Sequence, residues 1–376
     1  MFTDKLDKPF ALVASDLHLQ DKTWKHRDIV GDAYTSWRQI VEAAIEQQVE
    51  CVILAGDVLD RQTNLSKPVT ELLRGVEKLG SHGITTVFVQ GQHELQEEPW
   101  AAISAHAHHL DSDGPYELSD QGFVIAGIDY QHKEHLVDSL SYLAEAYAYE
   151  PEKMILVMHQ VWRDWMGDRA LPQGEFSDVD GFVPGLELLI TGDLHESRLE
   201  SYKTIKHILS PGSTCMQSIA EPEDKFMYWL QQAEDSSLEI VRDKLVTRQV
   251  FRYQITNQDE HAEFLKDVAD YQKNIEPMEW KPLAHIRYSA DVVSPGAIEN
   301  CCDKMEVFLK ELSPLNADDS GYSREKIEEG IVFTLESLLS EQEDISDDVR
   351  NLAERLLSSP EPENVLLSWY EERIKT

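Results

Sequence analysis

Short runs of mostly apolar residues recur at intervals through about the first 240 residues of the chain. They lie at residues 10–14, 51–55, 85–89, 123–128, 154–158 and 188–191. Because the apolar positions are consecutive rather than alternating, the runs predict strands that are covered on both faces of a sheet.

Helical patterns lie between these runs. Between the first two, apolar residues follow the spacing of one helix face, at Trp37, Ile40, Val41, Ala44 and Ile45. Between the next two, Ser66 can cap a helix that has Pro68 in its first turn and ends at Gly80. The alternation of strands and helices predicts an α/β fold of layered sheets flanked by helices.

The chain changes character after this region. A polar, acidic stretch at 231–237 is followed by a predicted helix at 260–271 and a strand-like run at 285–293. Turn-forming residues from Ser313 to Gly321 predict a linker, and the segment after it has helical stripes. We therefore expect a main domain at 1–240, a small cap-like α/β domain at 241–312 and a helical tail at 313–376.

The formal net charge of -36 limits what the chain can bind by itself. DNA-binding surfaces are usually basic, because neutralising phosphates supplies most of the affinity. A chain this acidic is expected to bind DNA poorly by itself. Either the acidic groups form a solvated surface that keeps the protein soluble, or metals and a partner supply the positive charge.

The remaining composition favours a cytoplasmic location with no membrane partner. No apolar run approaches the roughly 18 residues that span a bilayer, and the first nine residues are polar and charged, unlike a signal peptide. The four cysteines form no C-x-x-C pair, which fits a reducing compartment.

Side chains suited to binding metals follow the predicted strands, at the point where each strand ends. These side chains are Asp16 and His18 after the first run, Asp57 after the second, Gln92, His93 and Glu94 after the third, His159 at the end of the fifth, and Asp193 and His195 after the sixth. Sites in α/β sheets lie at the carboxyl ends of strands, so these clusters should meet at one edge.

Each cluster alone is weak evidence, since a Gly-Asp pair is often only a turn and His159 could be a core histidine. Together they indicate a metal site. Imidazole and carboxylate ligands suit manganese, iron or zinc. Two such cations can acidify a water molecule and neutralise the charge of a phosphodiester.

In these motifs the sequence resembles the calcineurin-like metallophosphoesterases, whose pattern is D-x-H, G-D-x-x-D, G-N-H-[DE], H and G-H-x-H. The resemblance covers about residues 8–230. Within that superfamily the chain is most similar to the SbcD-type DNA repair nucleases, the group that includes the Mre-eleven proteins and phage counterparts. The supporting segments are S-D-L-H-L at 15–19, G-D-V-L-D at 56–60, and S-P-G-S at 210–213 with Glu221 and Lys225 after it.

The resemblance implies a two-sheet sandwich flanked by helices, followed by a small α/β cap and a helical C-terminal tail. It also implies two sets of metal ligands that share a bridging Asp57. The first set would be Asp16, His18, Asp57 and His195, and the second would be Asp57, Gln92, His159 and Asp193. By the same resemblance, His93 would be the catalytic histidine and Glu94 would orient its ring.

Two departures from the family pattern fall on the second metal. Gln92 replaces the family's asparagine, and Asp193 replaces the first histidine of G-H-x-H. A charged oxygen in place of a neutral nitrogen makes this site harder, which favours manganese or magnesium over zinc. The alternative is a weakened second site.

The function implied by the resemblance is a manganese-dependent DNA nuclease, acting as an exonuclease on duplex ends and as an endonuclease on single strands. It would be the catalytic subunit of a complex with an SbcC-like coiled-coil ATPase in DNA repair, recombination or replication, and a homodimer is left open. Two alternatives remain, namely a phosphodiesterase for small or cyclic nucleotides and a non-catalytic scaffold with a degraded second site.

Two further groups of residues are expected to serve packing more than chemistry. His106, His108 and His109 are predicted to lie on a helix after Trp100. The tryptophans at positions 24, 162 and 165 should border the site, where stacking on unpaired bases is the alternative to plain packing.

Overall fold

The computed structural model describes residues 6–20, 24, 31–61, 66–97, 99–146, 150–166, 174–274 and 281–315. The first compact unit of the structure ends at Leu312. The helical tail predicted at 313–376 lies outside the described residues beyond position 315. Over the described ranges, every helix is too short or too polar to cross a membrane.

Strands and helices alternate along much of the described chain. The strands are β1 (Ala11–Ala14), β2 (Cys51–Ala55), β3 (Thr85–Val89), β4 (Ala107–His109), β5 (Tyr116–Leu118), β6 (Phe123–Ile128), β7 (Met154–His159), β8 (Leu188–Gly192), β9 (Arg198–Tyr202), β10 (Ile205–Ser210), β11 (Lys225–Gln232), β12 (Leu238–Leu245), β13 (Val250–Ile255), β14 (Leu283–Tyr288) and β15 (Phe308–Pro314). The helices are α1 (Asp32–Gln47), α2 (Ser66–Gly80), α3 (Leu110–Asp113), α4 (Lys133–Ala146), α5 (Arg163–Met166), α6 (Phe176–Phe182), α7 (Gln258–Asn274) and α8 (Pro295–Lys304).

Two mixed six-stranded sheets form the main body. The first has the order β12-β11-β1-β2-β3-β4, in which β1 to β4 are parallel and β11 and β12 are antiparallel to their neighbours. The second has the order β5-β6-β7-β8-β10-β9, with a parallel centre and an antiparallel strand at each edge. All six predicted strands are present in these two sheets.

The two sheets pack face to face, and helices cover their outer faces. Successive side chains of a strand point to opposite faces, so Leu12 faces the helices while Val13 faces the second sheet. The outer layers are formed by α1 and α2 on the first sheet and by α4 and α6 on the second. Burial on both faces explains why the strands are continuously apolar, and the predicted sandwich of sheets and helices is confirmed.

A smaller sheet, β13-β14-β15, follows the sandwich and packs against α7 and α8. This is the small α/β unit that the sequence predicts, although the domain boundaries proposed from the sequence stay predictions. The strand predicted at 285–293 is wrong in its second half, because β14 ends at Tyr288. The chain turns at Ser289, and the hydroxyl of Ser294 caps α8, whose first residue is Pro295.

The helix predicted for the histidine cluster after Trp100 is wrong. Residues 107–109 form the edge strand β4, which pairs in parallel with β3. His109 is buried there, stacked on Phe88 with the ring centroids 4.8 Å apart. A three-residue edge strand is too short to show the alternation by which a strand is recognised.

Candidate metal centre

The candidate ligands meet where the carboxyl ends of both sheets converge. The N–H groups of Asp16 and His18 donate to the carbonyls of Gly56 (3.0 Å) and Asp57 (2.9 Å), which extends the pairing of β1 with β2. The N–H of Asp193, after β8, donates to Oδ1 of Asp16 (3.1 Å) and so connects the second sheet to the first. The two sheets therefore bring their strand ends to one centre.

Four of these residues have a left-handed backbone conformation. The φ angles are 50° for Asp16, 45° for His18, 48° for Asp57 and 80° for Asp193. For residues other than glycine this conformation costs about 1–3 kcal/mol each and persists only where the surroundings impose it. Such a concentration of strain at one point is typical of a functional site.

His159 is fully buried at the end of β7, between two glycines. Its Nδ1 lies 2.8 Å from the carbonyl oxygen of Ala55, so the Nδ1–H donates there and Nε2 faces the centre. That Nε2 is 3.4 Å from Oδ2 of Asp57 and makes no hydrogen bond among the described residues. A Cβ at Gly56 or Gly192 would lie 2.4 Å from Nδ1, so both positions need glycine.

The charges of His159 and Asp57 are strongly coupled. Burial opposes a charge on His159, but the facing Asp57 carboxylate raises the pKa of the imidazole to about 10. Burial likewise opposes the charge of Asp57, but His159 and His18 hold the pKa of that carboxyl well below its ordinary range. A cation bound here must displace the proton of His159. The affinity for the cation should therefore decrease as the pH is lowered.

His18 and His195 form the opposite side of the centre. Their Nε2 atoms are 3.1 Å apart. Oδ1 of Asp16 lies 4.0 Å from the Nε2 of His18 and 3.9 Å from that of His195, and Oδ2 of Asp57 is 3.8 Å from the Nε2 of His18. The four predicted ligands of the first metal are therefore brought together, with nitrogen and oxygen atoms facing a common point.

A network behind His195 fixes the orientation of its ring. Nδ1 of His195 lies 2.9 Å from Oε1 of Glu221, so Nδ1–H donates to the carboxylate and Nε2 is free to bind a metal. The other oxygen, Oε2, accepts from the buried Lys225 ammonium (2.7 Å) and from the Ser213 hydroxyl (3.1 Å). Although burial opposes its ionisation, the His195 hydrogen bond and the Lys225 charge lower the pKa of Glu221 to about 2. The family resemblance points to Glu221 and Lys225 but assigns neither of them a role.

Gln92 and Asp193, both of the second predicted set, lie in contact with each other. The side-chain amide of Gln92 donates to Oδ1 of Asp193 (2.5 Å). Burial raises the pKa of Asp193, and the charges of Asp16 and Asp57 act in the same direction. These oxygens would be stabilised by a cation in contact with them.

Two buried polar atoms at the centre, Oε1 of Gln92 and Nε2 of His159, make no hydrogen bond among the described residues. Buried polar groups are nearly always satisfied, so such orphans call for an explanation. Carboxylate, imidazole and amide oxygen ligands together fit divalent cations such as manganese.

His93 lies at the open side of the centre, with 43% of its side chain exposed. Its Nε2 is 3.9 Å from Oδ2 of Asp57, and its Nδ1 is 3.0 Å from the carbonyl oxygen of Asp60. The expected contact with Glu94 is wrong, because the buried Glu94 carboxylate accepts the backbone N–H groups of Val58 (3.0 Å) and Leu59 (2.7 Å). Burial and the Asp57 charge raise the pKa of Glu94 to about 8. Glu94 holds the loop after β2, and the Asp60 carbonyl orients His93.

Two of the three tryptophans have packing roles. Trp24 and Trp162 are buried, and their indole N–H groups donate to Asp32 (2.9 Å) and Thr191 (2.7 Å). Neither presents a face on which a base could stack.

Comparison with known proteins agrees with this geometry. Residues 11–197 match the family described as calcineurin-like phosphoesterase. The DNA double-strand break repair protein Mre11 of Sulfolobus acidocaldarius is 24% identical over 192 residues, which cover 49% of this chain and 49% of that protein. The uncharacterized metallophosphoesterase YhaO of Bacillus subtilis is 24% identical over 230 residues, which cover 59% of this chain and 54% of that protein.

The matched region is thus about half the length of these relatives. Among solved structures, a dimetal phosphatase from Danio rerio is similar with a TM-score of 0.45 and 11% identity, covering 63% of this chain and 100% of that one.

Proposed function

Because the chain contains a calcineurin-like metallophosphoesterase domain, we propose that it is a manganese-dependent DNA nuclease, with magnesium as the alternative cation. It would cut duplex ends as an exonuclease and single strands as an endonuclease. It would act as the catalytic subunit of a complex with an SbcC-like coiled-coil ATPase in DNA repair, recombination or replication. The repair nuclease assignment is supported by the Mre11 relatives, which are 24% and 26% identical.

One observation carries the hydrolase part of the proposal. The ligand atoms of Asp16, His18 and His195 lie within 4.8 Å of one another, and so do those of Asp16, Asp57 and His159. Buried polar atoms of Gln92 and His159 beside them make no hydrogen bond among the described residues. In the proposed assignment the first cation is held by Asp16, His18, Asp57 and His195, and the second by Asp57, Gln92, His159 and Asp193. Two cations would supply the positive charge that activates water and neutralises a phosphodiester.

The protein's own contribution begins with His93. Its Nδ1–H donates to the Asp60 carbonyl, which leaves Nε2 to carry or release a proton beside the exposed face of the centre. This imidazole lies beside the centre, with its Nε2 3.9 Å from Oδ2 of Asp57, where a phosphodiester held by the cations would meet it. His93 is thus positioned to protonate the departing sugar oxygen.

The acidity of the chain shapes the rest of the proposal. With a net charge of -36, the protein has little means of holding DNA through phosphate contacts alone. The proposed ATPase partner would supply a basic surface, and the cations would supply local charge at the scissile phosphate.

The test is nuclease activity on end-labelled duplex and single-stranded DNA, with manganese, magnesium or chelator present. His93→Ala is compared with His135→Ala, which removes an exposed histidine on α4. We expect manganese-dependent cleavage that His93→Ala abolishes and His135→Ala retains. Intact DNA with cleavage of bis(p-nitrophenyl) phosphate would favour the small-substrate phosphodiesterase. Cleavage of neither would favour the scaffold.

A further inference from the structure

Gln90 is the first residue after β3, and its side chain closes the loop that follows. Its amide nitrogen donates to the carbonyl of Gln96 (2.9 Å), and its amide oxygen accepts from the N–H of Gln96 (3.0 Å). This reciprocal pair joins the two ends of residues 91–96, which we call the 91–96 loop. Gln90 is only 3% exposed, so water does not compete for these bonds.

Asp129 anchors Gln90 from the other sheet. It follows β6, and its Oδ1 accepts the backbone N–H of Gln90 (2.7 Å) while its Oδ2 accepts the side-chain amide (2.9 Å). The carbonyl of Gln90 accepts the N–H of Tyr130 (2.9 Å). Gln90 is therefore bonded through its backbone and its side chain, and the position of the 91–96 loop is set relative to both sheets.

The negative charge of Asp129 is buried but compensated. Nε2 of His109 lies 2.9 Å from both carboxylate oxygens of Asp129, and Nδ1 of His109 lies 2.8 Å from the Ser112 hydroxyl. A buried carboxylate with a cationic partner can accept several hydrogen bonds at little net cost. The network is thus a rigid support for Gln90 and has no open face of its own.

The 91–96 loop carries one residue of the second proposed ligand set and none of the first. Gln92 lies two positions after Gln90, with its Oε1 buried and making no hydrogen bond among the described residues. Asp16, His18 and His195 of the first set follow other strands, and the loop reaches the first cation only through the shared Asp57, whose Oδ1 accepts the N–H of His93 (3.0 Å). Displacing the loop should therefore affect the two cations unequally.

We infer that Gln90 is a positioning residue, anchored by Asp129, that closes the 91–96 loop so that Gln92 reaches the second cation. The inference rests on the proposed two-cation site. This role explains why the polar side chain of Gln90 is buried at the end of β3, beside the metal centre. Loss of a group that orients a metal ligand weakens metal binding by about 10- to 100-fold, and we expect this weakening to be greater at the second cation than at the first.

The test is manganese titration by calorimetry of the full chain, with the melting temperature of each variant measured in parallel. Gln90→Leu keeps the side-chain volume and removes both bonds to Gln96. Gln90→Asn keeps the amide but is one methylene too short to span the loop, so it serves if the leucine variant does not fold. Gln39→Leu is the matched control, because Gln39 makes the same reciprocal pair with the backbone of Val246 (2.9 and 2.8 Å), on helix α1.

We expect wild type and Gln39→Leu to bind two manganese ions, and the Gln90 variants to lose at least about tenfold more affinity for one ion than for the other. Wild-type affinity for both ions in the Gln90 variants would overturn the inference. So would an equal loss of both ions with a lowered melting temperature, which marks a general structural role. Fewer than two ions on the wild type would overturn the inference together with the two-cation site. Failure to cut DNA with two ions bound would count against the proposed nuclease alone.

Discussion

Gly56 gives the sharpest test of how the backbone shapes the metal centre. Its φ of +85° is left-handed, and a Cβ built on it would lie 2.4 Å from Nδ1 of His159. Gly56→Ala must therefore displace a fully buried ring and break the 2.8 Å hydrogen bond from that ring to the carbonyl of Ala55.

The expected cost has three parts. An alanine in the left-handed region costs about 1–2 kcal/mol. Overpacking against His159 adds about 1–3 kcal/mol, and a buried imidazole N–H without its acceptor adds a similar amount. We expect Gly56→Ala to lower the free energy of unfolding by about 3–8 kcal/mol, a large part of the stability of about 5–15 kcal/mol that is usual for a domain.

Gly83→Ala is the matched control. Gly83 also has a left-handed φ, +77°, but its Cβ would meet nothing within 4 Å. It should lose only the backbone cost of about 1–2 kcal/mol. Urea unfolding of both variants, together with manganese titration, isolates the contact with His159. If Gly56→Ala were no less stable than Gly83→Ala and still bound two ions, the argument that Gly56 makes room for the ligand would be refuted.

Three further predictions concern the ligands and their supports. Asp193→His should raise the affinity for zinc relative to manganese, because an imidazole is a softer ligand than a carboxylate; an unchanged ratio in competitive titrations would contradict the assignment of Asp193. The pKa of Glu221 is lowered from an ordinary 4.5 to about 2, so its contacts with His195 and Lys225 together contribute stability that is fully present above pH 4.5 and is lost as the pH falls towards 2. Glu221→Gln should flatten that part of the unfolding free energy against pH, and a curve identical to wild type would count against the contacts. Arg248→Met should cost about 3–5 kcal/mol in urea unfolding, because it leaves the buried Asp32 carboxylate without its ion partner (2.5 Å); a cost below about 1 kcal/mol, the value of an exposed pair, would show that the pair is not effectively buried.

The sequence predicts the strands and most of the candidate ligands for a clear physical reason. A strand covered on both faces must be continuously apolar, so residues such as Leu12 and Val13 mark it without knowledge of its neighbours. The polar residues Asp16, Asp57 and His159 come at or just after the ends of these strands. Their positions along the chain are therefore enough to identify them. The division of the strands between two sheets follows only from the family resemblance.

The supporting contacts could not be predicted, because they join residues far apart in the chain. Glu94 accepts hydrogen bonds from the N–H groups of residues 58 and 59, and the backbone offers no sequence signature for such a contact. Asp129 and His109 likewise meet Gln90 only after the two sheets pack together. The helix predicted at His109 is wrong because its strand is too short to show a period.

The central claim is that the converging side chains hold two cations, and crystals grown with manganese test it most directly. Anomalous difference maps at the manganese edge should show two peaks, about 3.5–4 Å apart. One should contact Asp16, His18 and His195, the other should contact Gln92, His159 and Asp193, and Asp57 should lie between them. A single peak, or none, at saturating manganese would contradict the account.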